Sequence, residues 1–403
     1  MNKSWRTPTL ILICGGLILT LSLGTRQGFG LFLQPMTSEF GWGRATFAFA
    51  IALQNLVWGV AQPFSGMIAD RFGAGRVLAG GAALYALGLA LMALSSTGVE
   101  LALSAGVLLG LALSGTSFGV VYGVIGRTFA PEKRSMALGI ASAAGSFGQF
   151  AMIPYGYALI SNFGWYVSLF MLAASAALMA PLARALATPR EHHVMQSGQS
   201  MPLALAEALK HKGFWLLSWG FLVCGFQTLF ISVHLPAFLL DREMSAHTGM
   251  MALALIGLFN VFGSFLCSYL GGHYPGKYLL SVIYLLRALL IAVFITLPMS
   301  PWTVYVFAAA MGFLWLGTVP LTNGVVAQIF GVRYLSTLFG IVFLFHQIGS
   351  FLGIWFGGYL YDLTGSYQLI WIIAIALGVI AALLNWPIDD RQIARLELKE
   401  STA

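Results

Sequence analysis

Charge is what this chain has least of. Only 8% of its 403 residues are Asp, Glu, Lys or Arg, about a third of the share in a soluble domain. With 59% hydrophobic residues and a mean hydropathy of +0.86, there is too little polar surface to face water, which excludes a soluble globular fold. Acidic groups are missing where they would matter most. Glu39, Asp70, Glu100, Asp241 and Asp362 all fall at the ends of apolar stretches or between them, so no mid-membrane carboxylate can relay protons or hold a multivalent cation. Cysteine is scarce too: Cys14, Cys224 and Cys267 lie within apolar stretches, and an odd number so placed gives neither a disulfide framework nor metal spacing. No nucleotide-cradling glycine loop or nucleophile–base set appears, so an enzyme, a cofactor and a metal site are not expected. A sensor is disfavoured by the lack of a soluble domain.

What is present is a series of long apolar runs, each close to the ~20 residues that cross a hydrocarbon core. They cover 9–33, 45–68, 76–95, 100–124, 135–158, 165–187, 214–239, 248–270, 277–298, 301–325, 336–360 and 367–387. An all-α integral membrane protein with twelve transmembrane helices is expected. The net charge of +7 does not point to nucleic acid. Apart from Arg26, Arg44, Arg242 and Arg287, every Lys and Arg falls on the side of the N-terminus, the bias that marks a cytoplasmic face. Both termini are therefore expected in the cytoplasm, with the chain in a bacterial inner membrane. Lys3 and Arg6 before an apolar run imitate a signal peptide. That run is too long and ends in Gln34-Pro35 without a small-residue cleavage site, so it reads as a retained helix.

The second half repeats the first at a constant offset of 201 residues, as in Gly24 and Gly225, Pro35 and Pro236, Gly139 and Gly340, Gly148 and Gly349, and Gly164 and Gly365. This divides the chain into a six-helix half at 1–187, a linker at 188–212 with a short amphipathic helix at Met201–Lys210, a second half at 213–390, and a tail at 391–403. Two such halves of like orientation form carriers that hold substrate between them and rock to expose it alternately. The His192–His193 pair in the linker lacks further metal ligands and reads as solvated loop.

Departures from the repeat mark the candidate site. Arg26 pairs with Gln227, Tyr122 with Asn323, and Gly145 and Ser146 with His346 and Gln347. These positions bring polar groups to similar depth in both halves. Arg26 is costly at mid-bilayer, about 2.5–3.5 kcal/mol on insertion scales, and needs a polar destination. It is expected to bind ligand; the competing reading is a packed arginine bonded to Tyr122 or Gln149. Gln27, Asn55, Gln149 and Asn260 add polar lining, and Phe226 and Trp315 an apolar wall. Arg287 is either a second anion contact or a structural arginine bonded to carbonyls or tyrosines of its own half. With no acidic relay, coupled protons would use His346 or His234.

The string Gly66-Met-Ile-Ala-Asp70-Arg71-Phe-Gly73-Ala-Gly-Arg76 resembles the loop between helices two and three of the major facilitator superfamily. That resemblance implies that Asp70, Arg71 and Arg76 act in gating, by latching the halves together. Lys133-Arg134 followed by Ala137, Gly139, Ala141, Ala143 and Gly145, with Gly41-Trp42, resembles the branch of monocarboxylate transporters and oxalate/formate exchangers. It implies a monomeric carrier of a small organic anion, a monocarboxylate above all, by proton symport or exchange, with the lipid bilayer as its other partner. One departure weakens the transfer: where that branch carries a carboxylate-binding arginine in helix eight, this chain has Ser264. Efflux of an amphipathic or neutral compound is the alternative.

Overall fold

A computed structural model describes residues 6–129, 131–187, 201–331 and 334–393. Among them, eleven helical stretches are long and apolar enough to cross a membrane. The longest, Met136–Ala183, contains a break at Gly164 (φ 75°), which makes twelve crossings. Local chemistry starts several of them. Thr7 caps the first crossing (Pro8–Gln27) by accepting from the Leu10 N–H, with Pro8 in the first turn. Ser300 does the same for the tenth (Pro301–Phe313), again followed by proline, a residue that costs nothing where no intrahelical N–H bond exists. Helix Gly30–Phe40 extends the first crossing until Gly41, at φ 64°, ends it, so only a short turn precedes the helix that starts at Arg44. Between the halves a helix covers Met201–Lys210 and buries Ala204 and Ala208. Residues 188–200 of the linker, with His192–His193, lie outside the described residues, as does most of the tail.

The sequence repeat reappears as packing. In the first half Gly24 lies against the Gly148 carbonyl and Gly148 against Thr20, joining the first crossing to the fifth; in the second half Gly225 lies against His346 and Gly349 against Leu222, joining the seventh (Lys212–Leu240) to the eleventh (Leu335–Thr364). Backbones meet here because no side chain intervenes, which is how helices associate in lipid without a hydrophobic drive. The fourth and tenth crossings break at repeat-related points. The fourth stops at Thr116 and resumes at Phe118 after extended Ser117, and the tenth stops at Phe313 and resumes at Thr318.

An even number of crossings puts Arg6 and Ile393 on one face, the terminal face; the other is the distal face. The halves are locked distally. Arg44, at the start of the second crossing (Arg44–Phe72), makes a bidentate pair with Asp241 (2.6 and 2.7 Å). Asp362 accepts the Arg44 and Ala45 N–H groups (2.9 and 2.8 Å), capping a helix whose own N-cap is glycine. Gln27 donates to Ser232 across the same boundary (2.7 Å). Nearer the terminal face, positions 66, 139 and 340 have nothing within 4 Å of where a Cβ would lie.

This contrast is measurable. Gly225→Ala or Gly349→Ala forces two backbones apart and is expected to cost about 1–3 kcal/mol, seen as a lower thermal unfolding midpoint in detergent. Gly340→Ala meets open space and is expected to leave the midpoint unchanged or raise it.

Candidate functional site

Arg26 occupies the last turn of Pro8–Gln27. The helix tightens at Gly28 and Phe29, whose N–H groups bond to Thr25 and Arg26 carbonyls (3.2 and 3.3 Å). A cation at a helix C-terminus gains from the carbonyl ends of the backbone dipoles. Its guanidinium donates to Asn55 Oδ1 and lies over the Trp58 ring, 4.9 Å from the centroid. Both partners are fixed in turn. The Asn55 amide donates to the Ile51 carbonyl (2.8 Å), which leaves Oδ1 for Arg26. The Trp58 indole N–H reaches Gln62 Oε1 (2.7 Å) and Ser117 Oγ (3.1 Å), so the break in the fourth crossing orients the ring. Neither Asn55 nor Trp58 carries a negative charge, and Arg26 Nε has no partner. Neither Tyr122 nor Gln149, the partners considered from sequence, holds Arg26.

From Trp58 the cluster passes into the other half. Phe343 stands edge-on to Trp58 (5.6 Å between centroids) and stacks parallel on His346 (5.7 Å, 5°). Gln347 lies against Gly59, next to Trp58. Imidazole Nδ1 faces Gln347 Oε1 (3.2 Å) and Ser350 Oγ (3.4 Å). His346 Nε2, Gln347 Nε2 and, on the fifth crossing, Gln149 Oε1 are buried without partners. Buried polar atoms are nearly always bonded, so these three are exceptions where the halves meet. Tyr122 and Asn323, the repeat-related pair, are both partly buried, and Tyr122 packs on Phe118 (5.0 Å).

Other expected site residues have different work. Asn260 bridges the halves: its amide reaches Ser146 Oγ (3.4 Å) while Oδ1 accepts the Leu316 N–H and Ser264 Oγ (3.1 Å each). Gln27 serves the distal lock. Gln227 turns away from the shared region and donates to the Ala374 carbonyl (2.9 Å) within its own half. Phe226 and Trp315 are packed in the core of that half. Arg287 takes its structural alternative. It is fully buried, and its guanidinium donates to the Leu314 and Trp315 carbonyls and to Cys224 Sγ. It thus satisfies carbonyls that the break in the tenth crossing frees. Arg71 and Arg76 are exposed near the terminal face; the side chain of Asp70 lies outside the described residues.

Sequence reasoning missed Trp58 and Phe343, since an aromatic in an apolar span reads as ordinary packing. It also missed the lock of Arg44 with Asp241 and Asp362. The one available signal was that Arg44 is a rare cation on the distal face.

Twelve crossings in two pseudo-symmetric halves, with repeat-related broken helices beside a polar cluster shared between them, define the class: a multi-pass membrane carrier of the two-bundle type. Comparison with known proteins agrees. The chain belongs to the Major Facilitator Superfamily, whose sequence profile matches residues 14–353 and again 258–401. It is 26% identical over 392 residues to the uncharacterized MFS-type transporter YcxA of Bacillus subtilis (strain 168), covering 92% of each chain. It is 25% identical over 370 residues to monocarboxylate transporter 13 of Rattus norvegicus, covering 88% of this chain and 82% of that one. Among solved structures, a bacterial homolog of the human lysosomal transporter Spinster, inward-facing and occupied, superposes with a TM-score of 0.77 at 18% identity, covering 97% of this chain and 100% of that chain. That likeness is one of fold.

The two arginines should separate in a stability assay. Arg287→Met leaves carbonyls unpaired at about 1–3 kcal/mol each and is expected to lower the unfolding midpoint sharply. Arg26→Gln, which removes an uncompensated charge, is expected to leave the midpoint near wild type or above it.

Proposed function

We propose that this chain carries a small organic anion, a monocarboxylate above all, by alternating access with proton symport or exchange. The observation that carries the reading is the state of Arg26: a guanidinium held by an amide oxygen and a ring face, with no negative charge in contact and Nε unpaired. A carboxylate supplies what it lacks through charge-assisted bonds. Gln347 Nε2 and His346 Nε2, reached through Trp58 and Phe343, are the groups of the second half for the same anion. Tyr122, Gln149, Asn260 and Asn323 complete the lining, and His346 is placed to exchange a proton with the site. In the distal-closed shape the anion would pass through the terminal side. The charge bias supports a cytoplasmic terminal face in a bacterial inner membrane, with Asp70, Arg71 and Arg76 gating it, and the carrier acting as a monomer.

A second reading, export of an amphipathic or neutral compound, is favoured by Ser264, whose hydroxyl is spent on Asn260 where the resemblance would place an arginine. Uptake of labelled monocarboxylates into proteoliposomes, with and without an imposed pH gradient, distinguishes the two. Gradient-stimulated uptake that falls about 10–100-fold in Arg26→Gln, the loss of one or two charge-assisted bonds, is the expected result. Anion transport undiminished in that variant would remove Arg26 from the site.

A further inference from the structure

The distal lock ends on a histidine. Arg44 Nη1, besides pairing with Asp241, donates to Tyr367 Oη (2.9 Å), and its guanidinium lies 3.8 Å from the Tyr361 ring centroid. Tyr367 Oη in turn lies 3.0 Å from His234 Nδ1, and His234 Nε2 lies 2.8 Å from the Ile354 carbonyl oxygen. A carbonyl only accepts, so Nε2 carries the proton and Nδ1 is the bare nitrogen. Tyr367 must then donate to Nδ1, which frees its lone pairs for Arg44. The bonds run one way, and each member is bonded because His234 is neutral. Both His234 and Tyr367 are buried (0% and 2% exposed), so a reversal cannot be absorbed by water.

We propose that His234 is a protonation site controlling this lock, and that a proton taken up there favours opening of the distal face. The proton adds to the Nδ1 lone pair; no covalent bond breaks, and it leaves by the same nitrogen. An N–H then points at Tyr367 Oη. The phenol loses its acceptor and must accept from two cations at once, with its own O–H competing for the Asp241 carboxylate that Arg44 now holds. Imidazolium and guanidinium are left with one neutral oxygen between them. Each change weakens Arg44–Asp241. A cleft of about 280 Å³ on the distal side, lined by Thr37, Trp42, Arg44, Tyr361 and Asp362 among others, reaches Arg44, two hydrogen bonds from His234.

The charged and titratable groups around His234 are these. Arg44 comes from the second crossing, Tyr361 and Asp362 from the eleventh, Tyr367 from the start of the twelfth, and Asp241 from the end of its own helix. Further out, Arg242 lies over Phe238, and His247 of the eighth faces Tyr157. The Gly30–Phe40 segment of the first crossing, packed on Ser232 and Val233, has Glu39 as its titratable group, and Glu39 is bonded to the Trp165 indole N–H.

The proposal rests on the rocking of two halves, not on the identity of the anion. It is tested by spin-label distance measurement between Val99→Cys and Trp302→Cys, both exposed and on the distal ends of different halves, with Cys14, Cys224 and Cys267 buried. Lowering pH from about 8 to about 4, from above the ordinary histidine range to well below it, is expected to raise the long-distance population several-fold in the otherwise native chain. In His234→Gln, whose amide can donate to Ile354 and accept from Tyr367, the distribution should stay unchanged with pH. Tyr367→Phe cuts the link while keeping the histidine, so it should open more at every pH and lose the pH response, which decides the matter if the first variant does not fold. A native distribution insensitive to pH, or a pH response retained in either variant, overturns the proposal. Adding a transported monocarboxylate separates the two failures: a shift with anion but not pH rejects His234 alone, and a shift with neither rejects the rocking.

Discussion

A guanidinium in hydrocarbon must find hydrogen-bond acceptors inside the protein or be compensated by something that is not protein. This chain faces that constraint twice and resolves it in opposite ways. At Arg287 the tenth crossing breaks, and the carbonyls it releases at Leu314 and Trp315 receive the side chain. The break and the arginine are one device, each supplying what the other lacks. At Arg26 the break follows the arginine by two residues, and the acceptors offered are one amide oxygen and one ring face. The first charge is finished by the fold. The second is held in place and left charged, which is the condition for meeting an anion that comes and goes.

Most of the remaining site serves to hold that unfinished charge between two bodies. Ser117, at the break in the fourth crossing, fixes Trp58, and Trp58 sets the face on which Arg26 lies. The same ring meets Phe343, and through it His346. Displacement of one half against the other therefore changes the surroundings of Arg26 without any residue of its own half moving. The distal lock bears on the same boundary from the far end. The surroundings of Arg26 and the lock at Arg44 are thus coupled through rigid helices.

Composition and run length were enough for the twelve crossings, because the cost of unsatisfied backbone in lipid leaves few alternatives. The repeat was legible as spacing and is also visible as packing, in Gly24 on Gly148 and Gly225 on His346. Arg26 stood out as a charge with no sequence-level explanation. Arg287, its equal in hydropathy, was left open between an anion contact and a structural role, since its role follows from a helix break that no propensity near Trp315 announces. Register also misled: Gln227 is the exact repeat partner of Arg26, yet its amide serves Ala374 because rotation about the helix axis is set by packing. The lock was illegible for a simpler reason. Asp241 and Asp362 lie 197 and 318 residues from Arg44, and only the fold brings them together.

The central claim is that the uncompensated charge of Arg26 receives a carboxylate. It is tested most directly by comparing, on the purified protein, the thermal stabilisation given by a set of monocarboxylates with that given by their primary amides, which match them in shape and lack the charge. The account predicts that acids stabilise the native chain and amides do not, with the difference abolished in Arg26→Gln. Equal stabilisation by acid and amide, or a preference for acids that survives in the variant, would contradict it.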